Sequence, residues 1–234
     1  MWSVLTKELK IYFSSVLGYG ILTVYLLLAG IFFIISYATA VGISSFTPFF
    51  SVMNTTILFV IPFITLRTMA EEYRYGTMEL LFTSPLLSWE IVFGKFLASF
   101  LFTSIAVTLL LVYPLALSFF APIEWGMVLS SYVGMLLSVA FFVALGILAS
   151  SLTNNLVIAG ILSLSFFVIL VSFSSLSMVS QQTVAAIFRE ISYYTHYQQF
   201  AQGVVRWADL VYFIMGTFLW LYLTEWRLSS RSWK

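Results

Sequence analysis

Cysteine is absent from the 234-residue chain, and histidine occurs once. The first absence removes disulfide frameworks, thiol nucleophiles and cysteine zinc sites; the second leaves too few imidazoles for a His-based metal cage. Charge is also scarce: Asp, Glu, Lys and Arg make up 8% of the chain, and the formal net charge is +1. Soluble chains are about a quarter charged, and a nucleic-acid binder needs a basic stripe to displace counterions from phosphates. Both classes are excluded. No G-x-x-x-x-G-K-[ST] loop occurs, since the sole Gly-Lys pair, Gly94-Lys95, is followed by Phe96. The chain therefore has no P-loop to cradle a nucleotide.

What is present is apolar sequence, 62% hydrophobic residues with a mean hydropathy of +1.05. Apolar runs at 16–36, 49–66, 91–121, 127–151, 156–179 and 210–224 predict six membrane-spanning helices in one all-α, polytopic domain, 1–234. Lys7 and Lys10 precede the first run, and Ala38-Thr39-Ala40 resembles a signal-cleavage site. That run is longer than the roughly 7–15 residues of a signal h-region and matches the roughly 20 needed to cross a hydrocarbon core, so it is expected to be retained. The third run carries Lys95 near its start, expected to snorkel, and Pro114 near its end, expected to kink the helix. Trp207 and Trp226 bracket the sixth run as an aromatic belt, with Asp209 expected in the headgroup layer.

Six spans place Lys7, Lys10, Arg67, Arg74, Lys95, Arg227, Arg231 and Lys234 on one side and only Arg189 and Arg206 on the other. By the positive-inside rule both termini are expected in the cytoplasm of a plasma (inner) membrane protein. Segment 67–90 is then cytoplasmic and 180–206 extracytoplasmic. Trp2, Leu5, Leu9, Tyr12 and Phe13 recur at helical spacing, predicting an amphipathic interfacial helix over 1–15. Val184, Ile187, Phe188 and Ile191, followed by Tyr193, Tyr197 and Phe200, predict short outward helices between spans 5 and 6.

Segment 67–90 holds six of the charged residues between two apolar runs. Its Glu71-Glu72 pair is the nearest approach to a catalytic dyad, but adjacent helical residues point about 100° apart. Gly76 also occupies the place where an EExxxR intramembrane-protease motif needs Arg. His196 has only Glu190 and Asp209 as acids nearby and no G-x-S-x-G elbow, so it reads as an interfacial histidine. The span interiors carry no ionisable residue beyond Lys95, which weakens ion-coupled transport. No catalytic or metal site is expected. Work on a cargo would need energy from another chain.

Ala70-Glu71-Glu72, Gly76-Thr77, Glu79-Leu80-Leu81, Thr83-Ser84-Pro85, Trp89-Glu90-Ile91-Val92 and Gly94-Lys95-Phe96 resemble the cytoplasmic connection of ABC-2 type permeases. With Lys7-Glu8-Leu9, Tyr12-Phe13-Ser14-Ser15, Gly18-Tyr19 and Ile61-Pro62, the chain looks closest to the gliding-motility permease branch. The nitrous oxide reductase maturation permease is a more distant likeness. The resemblance implies a permease paired with a second copy or a sibling, above two separate ATPase subunits that bind ATP and Mg. It also implies a coupling helix between spans 2 and 3 that enters a cleft in the ATPase.

On that reading Glu71, Glu72, Arg74 and Glu79 pair with partner charges, and Met78, Leu80, Leu81 and Phe82 are apolar anchors. Gly76 permits a bend beside Thr77, while Ser84-Pro85 and Ser88 mark a stop and a new helix start. The 150–155 turn, with Asn154 and Asn155, or the amphipathic N-terminus offers a weaker second contact. The work done is export or mechanical signalling to an extracytoplasmic partner; an ATP-independent channel or a membrane scaffold subunit is the alternative.

Overall fold

The computed structural model describes residues 1–39, 46–78, 87–179, 188 and 190–232, and among them every regular element is an α-helix. In hydrocarbon each backbone N–H and C=O must be paired within its own segment, which a helix accomplishes. The elements are α1 (Trp2–Ser14), α2 (Val16–Thr39), α3 (Thr47–Thr65), α4 (Ala70–Arg74), α5 (Ser88–Leu109), α6 (Val112–Leu117), α7 (Trp125–Ser151), α8 (Leu156–Val179), α9 (Tyr193–Ala201) and α10 (Trp207–Ser232). Among the described residues six stretches are long and apolar enough to cross a membrane, in the order the sequence predicts. The protein is a multi-pass membrane protein.

Helix α7 is the centre of the bundle. In its most apolar stretch 72% of residues are buried, against 17% in each of α2 and α8, and α3, α5, α8, α9 and α10 all pack against it. Small residues set these approaches, as expected where no hydrophobic force drives helices together. A side-chain carbon on Gly134 would lie 2.5 Å from Phe200 Cβ on α9. Gly146 likewise receives Thr65 of α3, and Gly216 of α10 receives the Phe141 ring.

The long third span is broken where Pro114 predicts. Pro114 has no N–H to donate to Leu110, and the chain turns at residues 110–111 before α6 begins. Tyr113 N reaches Leu110 O at 3.2 Å instead.

Helix α1 packs along α5. Its buried residues are Val4, Leu5 and Glu8, and Val4 sits against Gly94. Trp2, Ile11 and Phe13 stay exposed on the rest of its surface. The predicted apolar stripe thus divides: Leu5 faces the chain, while Trp2 and Phe13 face outward.

Candidate functional site

The turn after α3 is built on one serine. Ser150, at the end of α7, accepts Met69 N at 3.1 Å and Ala70 N at 3.0 Å and donates to Leu66 O at 3.1 Å. Three backbone groups freed by the end of a helix are satisfied by one buried hydroxyl. Helix α4 then runs for five residues and ends as the sequence anticipates, with Gly76 at φ +69°, a left-handed conformation that glycine adopts without a Cβ clash. Ser88 opens α5, and Glu90 accepts Leu87 N at 3.3 Å.

Beside this turn lies a buried ionic cluster. Lys95 is 1% exposed, and its ammonium donates to Glu8 Oε1 at 2.6 Å and to Thr68 O at 2.6 Å. Glu72 Oε2 lies 2.9 Å away as an ion pair outside hydrogen-bond geometry, while Lys7 donates to Glu72 Oε1 at 3.2 Å. Two ammonium groups and two carboxylates neutralise one another, and at these distances their attraction offsets the desolvation cost of burying Lys95, Glu8 and Glu72, while Lys7 stays half exposed. The expected snorkelling of Lys95 is corrected: Glu8 and Glu72 come to the lysine, so it need not extend to water.

Tyr12 fastens α1 further. Its hydroxyl donates to Ile64 O at 3.2 Å and lies 2.9 Å from Ser99 Oγ, and its ring stacks on Phe102 at 5.0 Å. Burial pushes this phenol well above the ordinary tyrosine range. Helices α1, α3, α4, α5 and α7 are thereby tied together at one end of the bundle.

The residues expected to meet a partner therefore separate. Arg74, Gly76 and Thr77 are exposed and Glu71 is partly so. Glu72 has its carboxylate held inside the chain, and Met78 is 3% exposed, a core residue here rather than a free anchor. Glu79, Leu80, Leu81, Phe82, Ser84 and Pro85 lie outside the described residues. At the 150–155 turn Ser150 is committed to the α3–α4 turn, and Asn155 Oδ1 caps α8 by accepting Val157 N at 2.9 Å. Asn154 is exposed.

At the opposite end, α9 is seated by Tyr197, which donates to Phe50 O at 3.0 Å, and by Thr47, which donates to Ala201 O at 2.9 Å. His196 Nδ1 lies 2.6 Å from Asp209 Oδ1, its Nε2 lies 3.0 Å from Glu190 O, and its ring stacks on Tyr212 at 4.1 Å. Arg206 donates to the other Asp209 oxygen at 3.1 Å. Both imidazole nitrogens are engaged, leaving neither free as a base; the cluster pins α9 to the start of α10. Asp209, expected among headgroups, is 1% exposed because His196 and Arg206 pair it within the fold. Val184 and Ile187 lie outside the described residues, and Phe188 stacks on Phe173 at 5.7 Å. No group of three or more His, Asp or Glu residues gathers as metal ligands among the described residues.

A family model described as ABC-2 family transporter protein matches residues 21–226, most of the chain and all six spans in part or whole. The chain belongs to the ABC-2 transporter family. It is thus a permease component of an ABC transporter, a family whose membrane proteins are generally non-catalytic. No curated protein compared with this ABC-2 permease matches it. Sequence reading located the segment between spans 2 and 3 but missed its brace. The available signals were a lysine inside an apolar run and a glutamate on the amphipathic helix before it.

Proposed function

We propose that this permease takes up work from a separate ATPase through segment 67–90 and passes it to the spans. The observation that supports this most is the bracing of the α3–α4 turn, by Ser150 from α7 and by the Lys95 cluster from α1 and α5. A docking element must be stiff to transmit displacement, and this one is fixed to three other helices. Its free face, with Arg74, Tyr75, Gly76 and Thr77 exposed, is what a partner would meet.

Both termini and this segment are cytoplasmic on the count of Lys and Arg, eight against two. Helix α1 lies along the inner leaflet, its exposed Trp2 and Phe13 in the headgroup boundary. The working unit is two permeases, identical or sibling, over two ATPases carrying ATP and Mg. Val24, Leu27 and Ile31 of α2 and Val157 and Ile161 of α8 are exposed apolar residues open to a second copy or to lipid. The motifs at 7–19 and 61–96 favour the gliding-motility permease branch, with export or mechanical signalling as the output.

The test is co-purification of a co-expressed ABC ATPase with this chain. Leu80→Asp and Arg74→Glu should each release it from the membrane fraction while the permease still inserts. Undiminished recovery with both variants would overturn the docking assignment.

A further inference from the structure

A cavity of about 190 Å³ opens at the braced end, under α1 and between the start of α2 and the end of α3. Its apolar wall includes Leu17, Ile21, Phe63 and Phe102, and its polar rim includes Arg67 and Glu71. The Lys7, Glu8, Glu72 and Lys95 charges that also border it are spent on one another. Arg67 and Glu71 are not: the Glu71 carbonyl accepts Tyr75 N within α4, but neither side chain makes a hydrogen bond or an ion pair among the described residues. Among the described residues, one cation and one anion are left open in a single amphipathic cavity.

We infer that this cavity is a binding site for a zwitterionic phospholipid with a primary amine, of the phosphatidylethanolamine class, from the leaflet on the α1 side. The Arg67 guanidinium is a planar fork that receives the phosphodiester. The Glu71 carboxylate accepts hydrogen bonds from the ammonium. An anionic lipid satisfies Arg67 but sets its charge against Glu71, and a trimethylammonium head has no N–H to donate. The volume falls below the roughly 300–1,000 Å³ of pockets that enclose drug-sized ligands, so it takes the headgroup. Leu17 and Phe63 are 41% and 53% exposed, continuing the apolar wall outward where acyl chains lie.

Arg67 opens segment 67–90 just after α3 ends and Glu71 belongs to α4, so an occupant would sit on the segment proposed to meet the ATPase, at the point where it leaves the span. The site itself does not depend on that proposal, because it is assayed on the permease alone. Full-length chain in detergent is titrated with phosphatidylethanolamine, phosphatidylglycerol and phosphatidylcholine bearing identical chains, and with glycerophosphoethanolamine, which has none. Bound lipid is counted by native mass spectrometry. Phosphatidylethanolamine should bind about fivefold more tightly than either other lipid, the scale of one partly exposed charge pair.

Glu71→Gln should abolish that preference while sparing phosphatidylglycerol binding. Arg67→Gln should weaken both by about fivefold, with Arg67→Lys restoring part of the loss. Unchanged melting temperatures in these rim variants would confirm that the fold is intact. Equal binding of all three lipids, or no response to either Gln variant, would overturn the assignment, and a chain-free headgroup binding as tightly as the lipid would overturn its lipid character.

Discussion

Lys95 Nζ lies 2.6 Å from Glu8 Oε1, joining the third span to the N-terminal helix across 87 residues of sequence. The lysine is 1% exposed and also holds Glu72, so three separate segments share one ammonium group. Removing it leaves the buried Glu8 carboxylate without a cation and Glu72 with Lys7 alone.

Lys95→Met should therefore lower stability by about 3–5 kcal/mol, the cost of breaking a buried pair by deleting one partner. Replacing the carboxylates as well, in Lys95→Met with Glu8→Gln and Glu72→Gln, should recover most of the loss, since no buried charge remains. Thermal unfolding of the detergent-solubilised chain measures both. A triple variant as unstable as the single one would show that packing, not charge, dominates the site.

Ser150→Ala should cost about 1–3 kcal/mol, because the Met69 and Ala70 N–H groups lose their acceptor. The local signature is more specific than the global one. Hydrogen exchange at those two amides should accelerate while amides in the middle of α7 keep their protection.

Gly146→Val should destabilise by about 1–3 kcal/mol, as overpacking does, since Thr65 occupies the space a side chain would need. Gly126→Ala is the matched control, with nothing within 4 Å of the added carbon. Equal melting temperatures for the two variants would contradict the tight α3–α7 approach.

Gly76→Ala forces a Cβ into φ +69° at a cost of about 1–2 kcal/mol, whereas Gly76→Asn should be milder. If segment 67–90 docks the ATPase, Ala should reduce co-purification more than Asn. Identical recovery would separate the turn from docking.

The chain's lack of cysteine supplies a clean background for labelling. Thr77→Cys and Gln202→Cys, at opposite ends of the bundle and both exposed, should react with an impermeant maleimide from opposite sides of the membrane. Labelling from one side would sink the proposed orientation.

Six spans were legible because membrane crossing demands long apolar runs and nothing else in the chain resembles one. Local punctuation was legible too: Gly76 ends the α4 turn and Ser88 starts α5, since each acts through its own backbone. What the sequence hid is pairing at a distance. Glu8, Glu72 and Lys95 each look like a solvated charge until the fold brings them together, and Met78 reads as an anchor until its side chain is found inside. His196 and Asp209 were noticed as near neighbours, but the capture of the second ring nitrogen by Glu190 O depends on a chain path that spacing does not encode.

One consequence follows from the Ser150 hydroxyl. It belongs to α7, the most enclosed helix, whereas the groups it holds belong to the turn leading out of the bundle. A displacement of that turn would load the enclosed helix as directly as α3, from which the turn leads, and through Lys95 the third span as well.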